Sequence, residues 1–419
     1  LDALKSIKKK VLFLSGSRFP TGKAYGYQIA KECESIASLG VDVTLIFPEL
    51  APRQARNMDL PRQPDLFAHF PVKRNFRAEA TPVYPILDLF YSDVSPAWSV
   101  VKILAFAVAS IRLVDRWRDK NGVMIWTQDF FVVLAQCIRG IRREDILVYE
   151  CHGLSSKLLR VFAPIIRRLK KIIVTTSGLR REFVRIGIPE EAILVLPNAV
   201  SLEEFSIDEN QENCRRHLGL PQDRPIIGYV GVFVTYGVEK GIPTLVRSLA
   251  FLQNRYAPPL LVCVGGPVSF AEEYYRIADS VKVPREMLRI VDFQPRAEVA
   301  RWMKACDICT IPFPRNKNFM EYASPMKLFE YMAAGVPVIA SDFPVIRDVL
   351  EDGKNGLLVP ADDPKAWADG MAKILDNPDL AERLARGGRE TVAGNTWENR
   401  AARAYLFMAG GLESKEHGR

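Results

Sequence analysis

The run SPMKLFEYMAAG at residues 324–335, followed directly by VPVIASD at 336–342, decides how this chain is read. Ser324 is a favourable N-cap, and Pro325 stands where proline is preferred, at the first helical position. Gly335 can close the helix in a left-handed conformation. Val336 to Ala340 then reads as a short buried strand. A helix N-terminus presents unpaired backbone N–H groups and a partial positive charge, which together seat a phosphate. Lys327 adds a full charge in that first turn, and Glu330 lies one turn on along the same face. There it could accept two hydroxyl hydrogen bonds at once. Diphosphate plus a diol describes a nucleotide sugar. The same residues also suit an ordinary helix–turn–strand unit with a surface Lys–Glu pair.

Working outward, two successions of strand and helix appear. KVLFLSG, VDVTLIF, GVMIWT, DILVYEC and KIIVTTS are β-rich runs in the first half, each followed by a plausible helix. PIIGYVGV, LLVCVGG, MLRIVDF, DICTIPF and VPVIASD repeat the pattern in the second. Continuous apolar strands alternating with helices signal parallel sheets covered on both faces. Two such sets imply two doubly wound domains, with a polar, proline-bearing break near Asn198 to Asp223. Ligands of parallel sheets sit at the carboxyl ends of the strands, so the natural site is a cleft between facing domains. The first βα turn, Ser15 to Lys23, contains glycine but matches neither a dinucleotide fingerprint nor a Walker loop. A dehydrogenase or a nucleoside triphosphatase is poorly supported. Residues 50–85, rich in Pro and Arg, read as a long irregular excursion.

A chain of 419 residues is too long for one core and suits two domains. With 48% hydrophobic and 25% charged residues it is ordinary globular material. The net charge of +8 is uneven, because residues 1–205 hold 30 Lys+Arg against 21 Asp+Glu. A basic first half suits an anionic membrane surface, a phosphorylated acceptor or nucleic acid, and equally a solvated face with no partner. It lacks an interleaved aromatic and arginine motif, which argues against nucleic acid. The start, LDALKSIKKK, is charged and reads as no secretory signal. The most apolar window, Trp98 to Val114, contains Lys102 and Arg112 and is shorter than the ~20 residues a membrane span needs. It reads as a core or an interfacial helix. The seven cysteines have no framework spacing. Cys306 and Cys309 form a C-x-x-C in a run that reads as a buried strand, with no second pair to complete a zinc site. A reduced, cytosolic setting is expected.

Nearly the whole chain resembles the family 4 glycosyltransferases (glycosyl transferases group 1) of the GT-B fold. The segments that carry the resemblance stand in the family's order. They are KVLFLSGS with GYQIAKECESIASLGVDVTLIF, then YECHG, then VTTSGLRREFVRIGIPEEAILVLPNAVSLEEF. GYVGVFVTYGVEKGIPTLVRSLAFL, DFQPRAEVARWMKACDICTIPF, the opening run and GKNGLLVPADDPKAWADGMAKIL follow. TWENRAARAYLFM resembles the terminal helix that crosses back to the first domain. The implied architecture is two Rossmann-like domains facing each other across a cleft. Residues 1–203 would be the acceptor-binding domain, joined by the helix 396–419, and 204–395 the nucleotide-sugar donor domain.

Residue by residue, the resemblance implies that Lys240 holds the donor diphosphate. Glu330 would bind the ribose hydroxyls, and backbone around Ser324, Met326, Lys327 and Leu328 would receive phosphate oxygens. Gly16 would let backbone approach the sugar or phosphates, and His152 would bind the transferred sugar and help polarise the reacting centre. Three positions depart from the family pattern. Tyr322 stands where the first of two paired glutamates belongs, with Glu321 one residue early. Val232 and Phe233 stand where an arginine usually follows the glycine of the GYVG strand, which makes Lys327 the substitute cation. Asn198-Ala199 replaces the usual Asn-Gly.

The implied reaction is transfer of a hexose-type sugar, with retention, from a UDP-sugar more than a GDP-sugar, to an acceptor hydroxyl. Envelope, exopolysaccharide or glycolipid synthesis is the expected setting. No pair of carboxylates stands out as nucleophile and acid, and Asp129 is the first-domain carboxylate to watch. Front-face attack beside the departing diphosphate is favoured. No cofactor and no essential metal are expected, and Asp362 and Asp363 read as loop residues rather than a ligand cage. A glycan or lipid-linked acceptor and a peripheral contact of the basic domain with an anionic membrane are expected. The alternatives are an inactive GT-B scaffold, which the missing arginine and glutamate would favour, or another nucleotide-sugar enzyme such as a 2-epimerase.

Overall fold

The structure is a computed structural model, which describes residues 10–21, 24–49, 65–83, 96–119, 121–153, 156–235, 237–255 and 257–410. Its described residues fall into two units. The first holds the chain up to Thr175, then Leu179–Leu196, and then the chain from Trp397 onward. The second holds Thr176–Gly178 and Pro197–Thr396.

The strands of the first unit are β1 (Lys10–Leu14), β2 (Val43–Pro48), β3 (Arg77–Thr81), β4 (Val123–Thr127), β5 (Ile146–Cys151), β6 (Lys171–Val174) and β7 (Ile193–Val195). They form one seven-stranded sheet in the order β3-β2-β1-β4-β5-β6-β7, with every pair parallel. Strands buried on both faces need unbroken apolar runs, and β1, β2, β4, β5 and β6 are the runs that the sequence announces. Two strands lacked that signal. RAEAT of β3 is an edge strand with half-exposed side chains, and β7 has only three residues. The excursion expected over 50–85 is therefore corrected in its described part. Leu66–His69 is a helical turn, and β3 pairs with β2. Residues 50–64, 84–95, 22 and 23 lie outside the described residues.

The second unit uses β8 (Ile226–Val230), a hairpin of β9 (Val234–Thr235) and β10 (Val238–Glu239), β11 (Leu260–Val264), β12 (Leu288–Val291), β13 (Ile308–Ile311), β14 (Val338–Ser341) and β15 (Leu357–Val359). Six of them form a parallel sheet in the order β12-β11-β8-β13-β14-β15. Alternation along β8 shows why both faces need cover: Ile226 and Val230 join one core, Ile227 and Tyr229 the other. In each sheet the chain moves outward one way from its first strand and then restarts on the other side. This doubly wound order creates a switch point, at β1/β4 in the first unit and β8/β13 in the second.

The boundary at Leu196/Pro197 precedes the one expected at 203. Asn198 explains it, for its side-chain amide donates to the Ser324 carbonyl at 2.6 Å and ties the segment to the second unit. At the other end, the helix Trp397–Met408 belongs to the first unit. The helix Pro96–Trp117 buries Phe106, Leu113 and Val114 while exposing Val101, Leu104 and Val108. Among the described residues no helix is long and apolar enough to cross a membrane. All seven cysteines are free and buried.

Candidate functional site

The second unit's switch point carries two lysines. β8 ends at Tyr229 and Val230, and Gly231 follows with φ +150°, a backbone that L side chains rarely adopt. A Cβ there would lie 2.8 Å from Lys327 Nζ, so the missing side chain leaves room for the ammonium. Lys327 donates to Tyr229 Oη at 2.6 Å and sits 3.8 Å from that ring's centroid. The phenol O–H in turn donates to the Val232 carbonyl at 2.7 Å, at the position where the family's arginine is missing.

Lys240 follows the β9–β10 hairpin, held by its N–H on the Phe233 carbonyl at 2.9 Å. Its ammonium faces the rings of Phe319 at 4.7 Å and Phe313 at 5.1 Å, which stack on each other beyond β13. Burial pushes the Lys240 amine down to about 8, opposed by the Glu239 carboxylate. Burial also holds Lys327 well below the usual lysine range, and the neighbouring Lys240 charge adds to the effect. Glu239 itself is occupied, accepting from the N–H groups of Gly241 and Ile242 and from Tyr274 Oη. Among the described residues neither lysine forms an ion pair with a carboxylate. Two partly buried cations in one field, without a paired anion, are poised for a multiply charged one.

Met326–Ala333 is the helix of the opening motif, and its start requires a correction. Pro325, not Ser324, holds the cap position, and no side chain caps the helix. The Ser324 hydroxyl instead accepts from the Asn198 N–H at 3.0 Å. The amides of Met326, Lys327 and Leu328 thus lie in the first turn. The Leu328 N–H turns back to the Pro325 carbonyl at 3.1 Å, so Met326 and Lys327 are the better placed of the three for an anion. At the other end Gly335 has φ +72° as expected, with Gly335 N–H on Met332 and Val336 N–H on Tyr331 closing a Schellman motif.

Glu330 is buried in this helix. Its carboxyl is raised by burial, an effect that the Arg296 guanidinium counters and the Glu204 carboxylate adds to. Arg296 approaches Glu330 Oε1 at 3.4 Å and Glu204 at 2.6 Å, a partner the sequence reading missed. Glu321 and Tyr322 lie in a π-helical turn, Asn318–Tyr322. The Glu321 carbonyl accepts from Thr176 Oγ1 at 2.8 Å, and Tyr322 is buried with Lys317 5.4 Å from its ring. Asp363 caps the helix Pro364–Leu375, and Asp362 accepts from the Arg315 N–H, so both are structural.

In the first unit, the switch point brings Gly16 and Asp129 together. Gly16 N–H donates to the Asp129 carboxylate, and a Cβ on Gly16 would lie 3.1 Å from that oxygen. Burial raises the Asp129 carboxyl, and the Gly16 N–H opposes it. His152, just past β5, places Nε2 2.7 Å from Glu150 Oε1 and 3.0 Å from Gln28 Nε2. Glu150 can only accept, so the Nε2 proton goes to it; the Gln28 amide must then turn its oxygen, not its NH2 group, toward Nε2, and His152 keeps Nδ1 for another partner. Glu150 is fully buried, and it also accepts from Trp126 Nε1 at 2.7 Å and Arg400 Nη2 at 2.6 Å. The other Arg400 nitrogen pairs with buried Glu32. Nothing local in the sequence announces this cluster, whose members come from a helix, a strand and the distant terminal helix. Among the described residues no group of three or more His, Cys, Asp or Glu could hold a metal ion.

Residues 210–391 match the family described as glycosyl transferases group 1. The D-inositol 3-phosphate glycosyltransferase of Corynebacterium urealyticum is 30% identical over 216 residues, 50% of this chain and 49% of that protein. The chain spans about half the length of the curated relatives it matches. Among solved structures, the sucrose-phosphate synthase of Thermosynechococcus elongatus superimposes with a TM-score of 0.74 at 20% identity, covering 96% of this chain and 98% of that one. Anabaena HepE in complex with UDP-glucose gives 0.69 at 15% identity, covering 96% and 99%. The fold is GT-B, built of two Rossmann-like domains.

Proposed function

We propose, for a chain whose residues 210–391 match the glycosyl transferases group 1 family, that the protein moves a hexose-type sugar from a nucleotide-diphosphate sugar to an acceptor hydroxyl. The observation that carries this reading is the pair Lys240 and Lys327, partly buried at the switch point of the second sheet without a carboxylate partner among the described residues. Glu330, a turn beyond Lys327, serves the ribose diol, and the first-turn amides of Met326 and Lys327 serve the phosphates. UDP is the proposed nucleotide, in keeping with the ligand of the HepE structure. His152 serves the sugar through Nδ1, with Glu150 setting its tautomer.

Retention with front-face attack is the proposed course. The bond from the anomeric carbon to the diphosphate breaks while the acceptor oxygen approaches the same face, and the departing diphosphate takes the acceptor proton. Lys240, Lys327 and the helix amides stabilise the charge that develops on the leaving group. The step uses no metal, so turnover should be unchanged by a chelator. An inactive scaffold would be favoured by the missing arginine at Val232, but Lys327 beside Gly231 offers a cation in its place.

Thermal-shift binding of a nucleoside-diphosphate panel tests the proposal. Wild type should melt higher with one diphosphate, and Glu330→Ala should lose that shift. A folded wild type that responds to none would refute the donor site.

A membrane-proximal acceptor is favoured by one surface. The helix Pro96–Trp117 exposes Val101, Leu104 and Val108 beside exposed Arg112 and Arg116. An apolar stripe flanked by arginines suits an anionic bilayer interface. Co-sedimentation with anionic vesicles at low salt should be lost in Val108→Asp. No binding by wild type at low salt would remove this reading.

A further inference from the structure

Arg296 has no place in the reading above, and its contacts are uneven. Its Nε holds Glu204 at 2.6 Å, while its two terminal nitrogens stand 3.4 and 3.5 Å from Glu330 Oε1. The Phe205 ring lies beneath the guanidinium, 5.5 Å from its carbon. Glu204 and Phe205 come from the short helix Leu202–Phe205, and Arg296 opens the helix Arg296–Lys304. The arginine is anchored on one carboxylate and only leans on the other. A hydrogen bond of 2.6 Å with a charged partner is strong, and one at 3.4–3.5 Å is weak.

We propose that Arg296, anchored by Glu204 and Phe205, is a positioning residue that keeps Glu330 a charged and unblocked acceptor for a vicinal diol. The inference rests on Glu330 as the ribose-binding carboxylate. An ionised carboxylate is acceptor-only and can take two hydroxyls at once, whereas a protonated one must spend an oxygen as a donor. Glu330 is buried, a setting that favours the protonated form. A tight, bidentate arginine would keep it ionised and also fill its lone pairs. Held off by Glu204, Arg296 supplies field through weak contacts to Oε1 and leaves Oε2 uncontacted.

Among the described residues, three charged groups lead in acting on Glu330. Arg296 draws its carboxyl down, Glu204 from Leu202–Phe205 pushes it up, and Lys327 on its own helix draws it down. The neighbouring strand β14, VIAS, has no titratable side chain. On the helix Pro378–Ala393, which packs against the same helix, Arg389 turns to the Gly335 carbonyl instead. Without Arg296, the leading influences left are burial and Glu204 on one side and Lys327 on the other. The carboxyl then keeps its proton to higher pH, and diol recognition is weak at acid pH and returns as pH rises.

Calorimetric titration of UDP and 2′-deoxy-UDP into wild type, Arg296→Met, Arg296→Lys and Glu330→Ala tests this between pH 6 and 7.5. Lys240, lowered to about 8, begins to lose its proton toward the top of that window, and ratios to wild type cancel that titration. Arg296→Met should bind UDP about tenfold more weakly than wild type at pH 6, converge toward it by pH 7.5, and regain its preference over the deoxy ligand in parallel. Arg296→Lys should stay near wild type, because it keeps the charge. A pH-independent ratio, or no loss, would overturn the proposal while Glu330→Ala still abolished binding. Equal binding by wild type and Glu330→Ala would instead refute the ribose site. Arg296→Gln, neutral and able to hold Glu204, carries the same test if the Met variant fails to fold.

Discussion

The two sheets end in opposite electrostatic arrangements. In the first unit, Arg400 lies between Glu32 and Glu150, all three fully buried, and Glu150 reaches on to His152 and Trp126. In the second, Lys240 and Lys327 share a switch point with aromatic rings and a phenol but no paired carboxylate among the described residues. The first cluster sets one cation against two carboxylates and meets the remaining negative charge with hydrogen bonds from Trp126 and His152, and so acts as architecture that aims one histidine. The second leaves positive charge unanswered in a place where it depresses its own ionisation, which is tolerable where an anion binds.

The contrast can be broken most forcefully at Arg400. Arg400→Met leaves two buried carboxylates without a cation and should destabilise the first unit by about 3–5 kcal/mol, read by chemical denaturation. A loss under 1 kcal/mol would mean that the cluster is not the support described. Lys240→Ala should leave stability nearly unchanged, or raise it, while lowering turnover by roughly 10²–10³-fold in steady-state kinetics. Comparable turnover would erase the distinction between the units. A third measurement is the pH dependence of diphosphate affinity. Lys240 is lowered to about 8, so it is charged below that pH and loses its proton above it. Affinity should fall by up to about tenfold per unit as pH rises beyond 8, and Lys240→Arg should flatten that fall. The smallest effect is expected for Tyr229→Phe, which removes the hydroxyl that accepts from Lys327. Affinity for the nucleoside diphosphate should change only a few-fold, in line with about 1 kcal/mol for one hydrogen bond.

Much of the fold was legible because parallel strands covered on both faces must be continuously apolar. β1, β4, β8 and β11 carry that mark in their composition. β3 and β15 escaped it, since an edge strand is half exposed and a three-residue strand is too short to set a pattern. Lys240, Lys327 and Glu330 were legible through motif and helical spacing, and the structure brings the two lysines to one switch point. Ser324 was read as a cap from its residue type, yet its hydroxyl went to Asn198, a partner far away in sequence.

The sequence by itself determined two doubly wound domains, the motif helix with its glycine stop, and the residue types suited to a diphosphate and a diol. Those features follow from local periodicity and backbone preference, which neighbouring residues settle among themselves. Only the tertiary structure decided which charges are answered. Arg400 meets Glu32 and Glu150, Arg296 divides itself between Glu204 and Glu330, and Lys240 and Lys327 stay without a carboxylate partner among the described residues. Coulomb energy depends on distance and burial in space, and neither is written in the order of the residues.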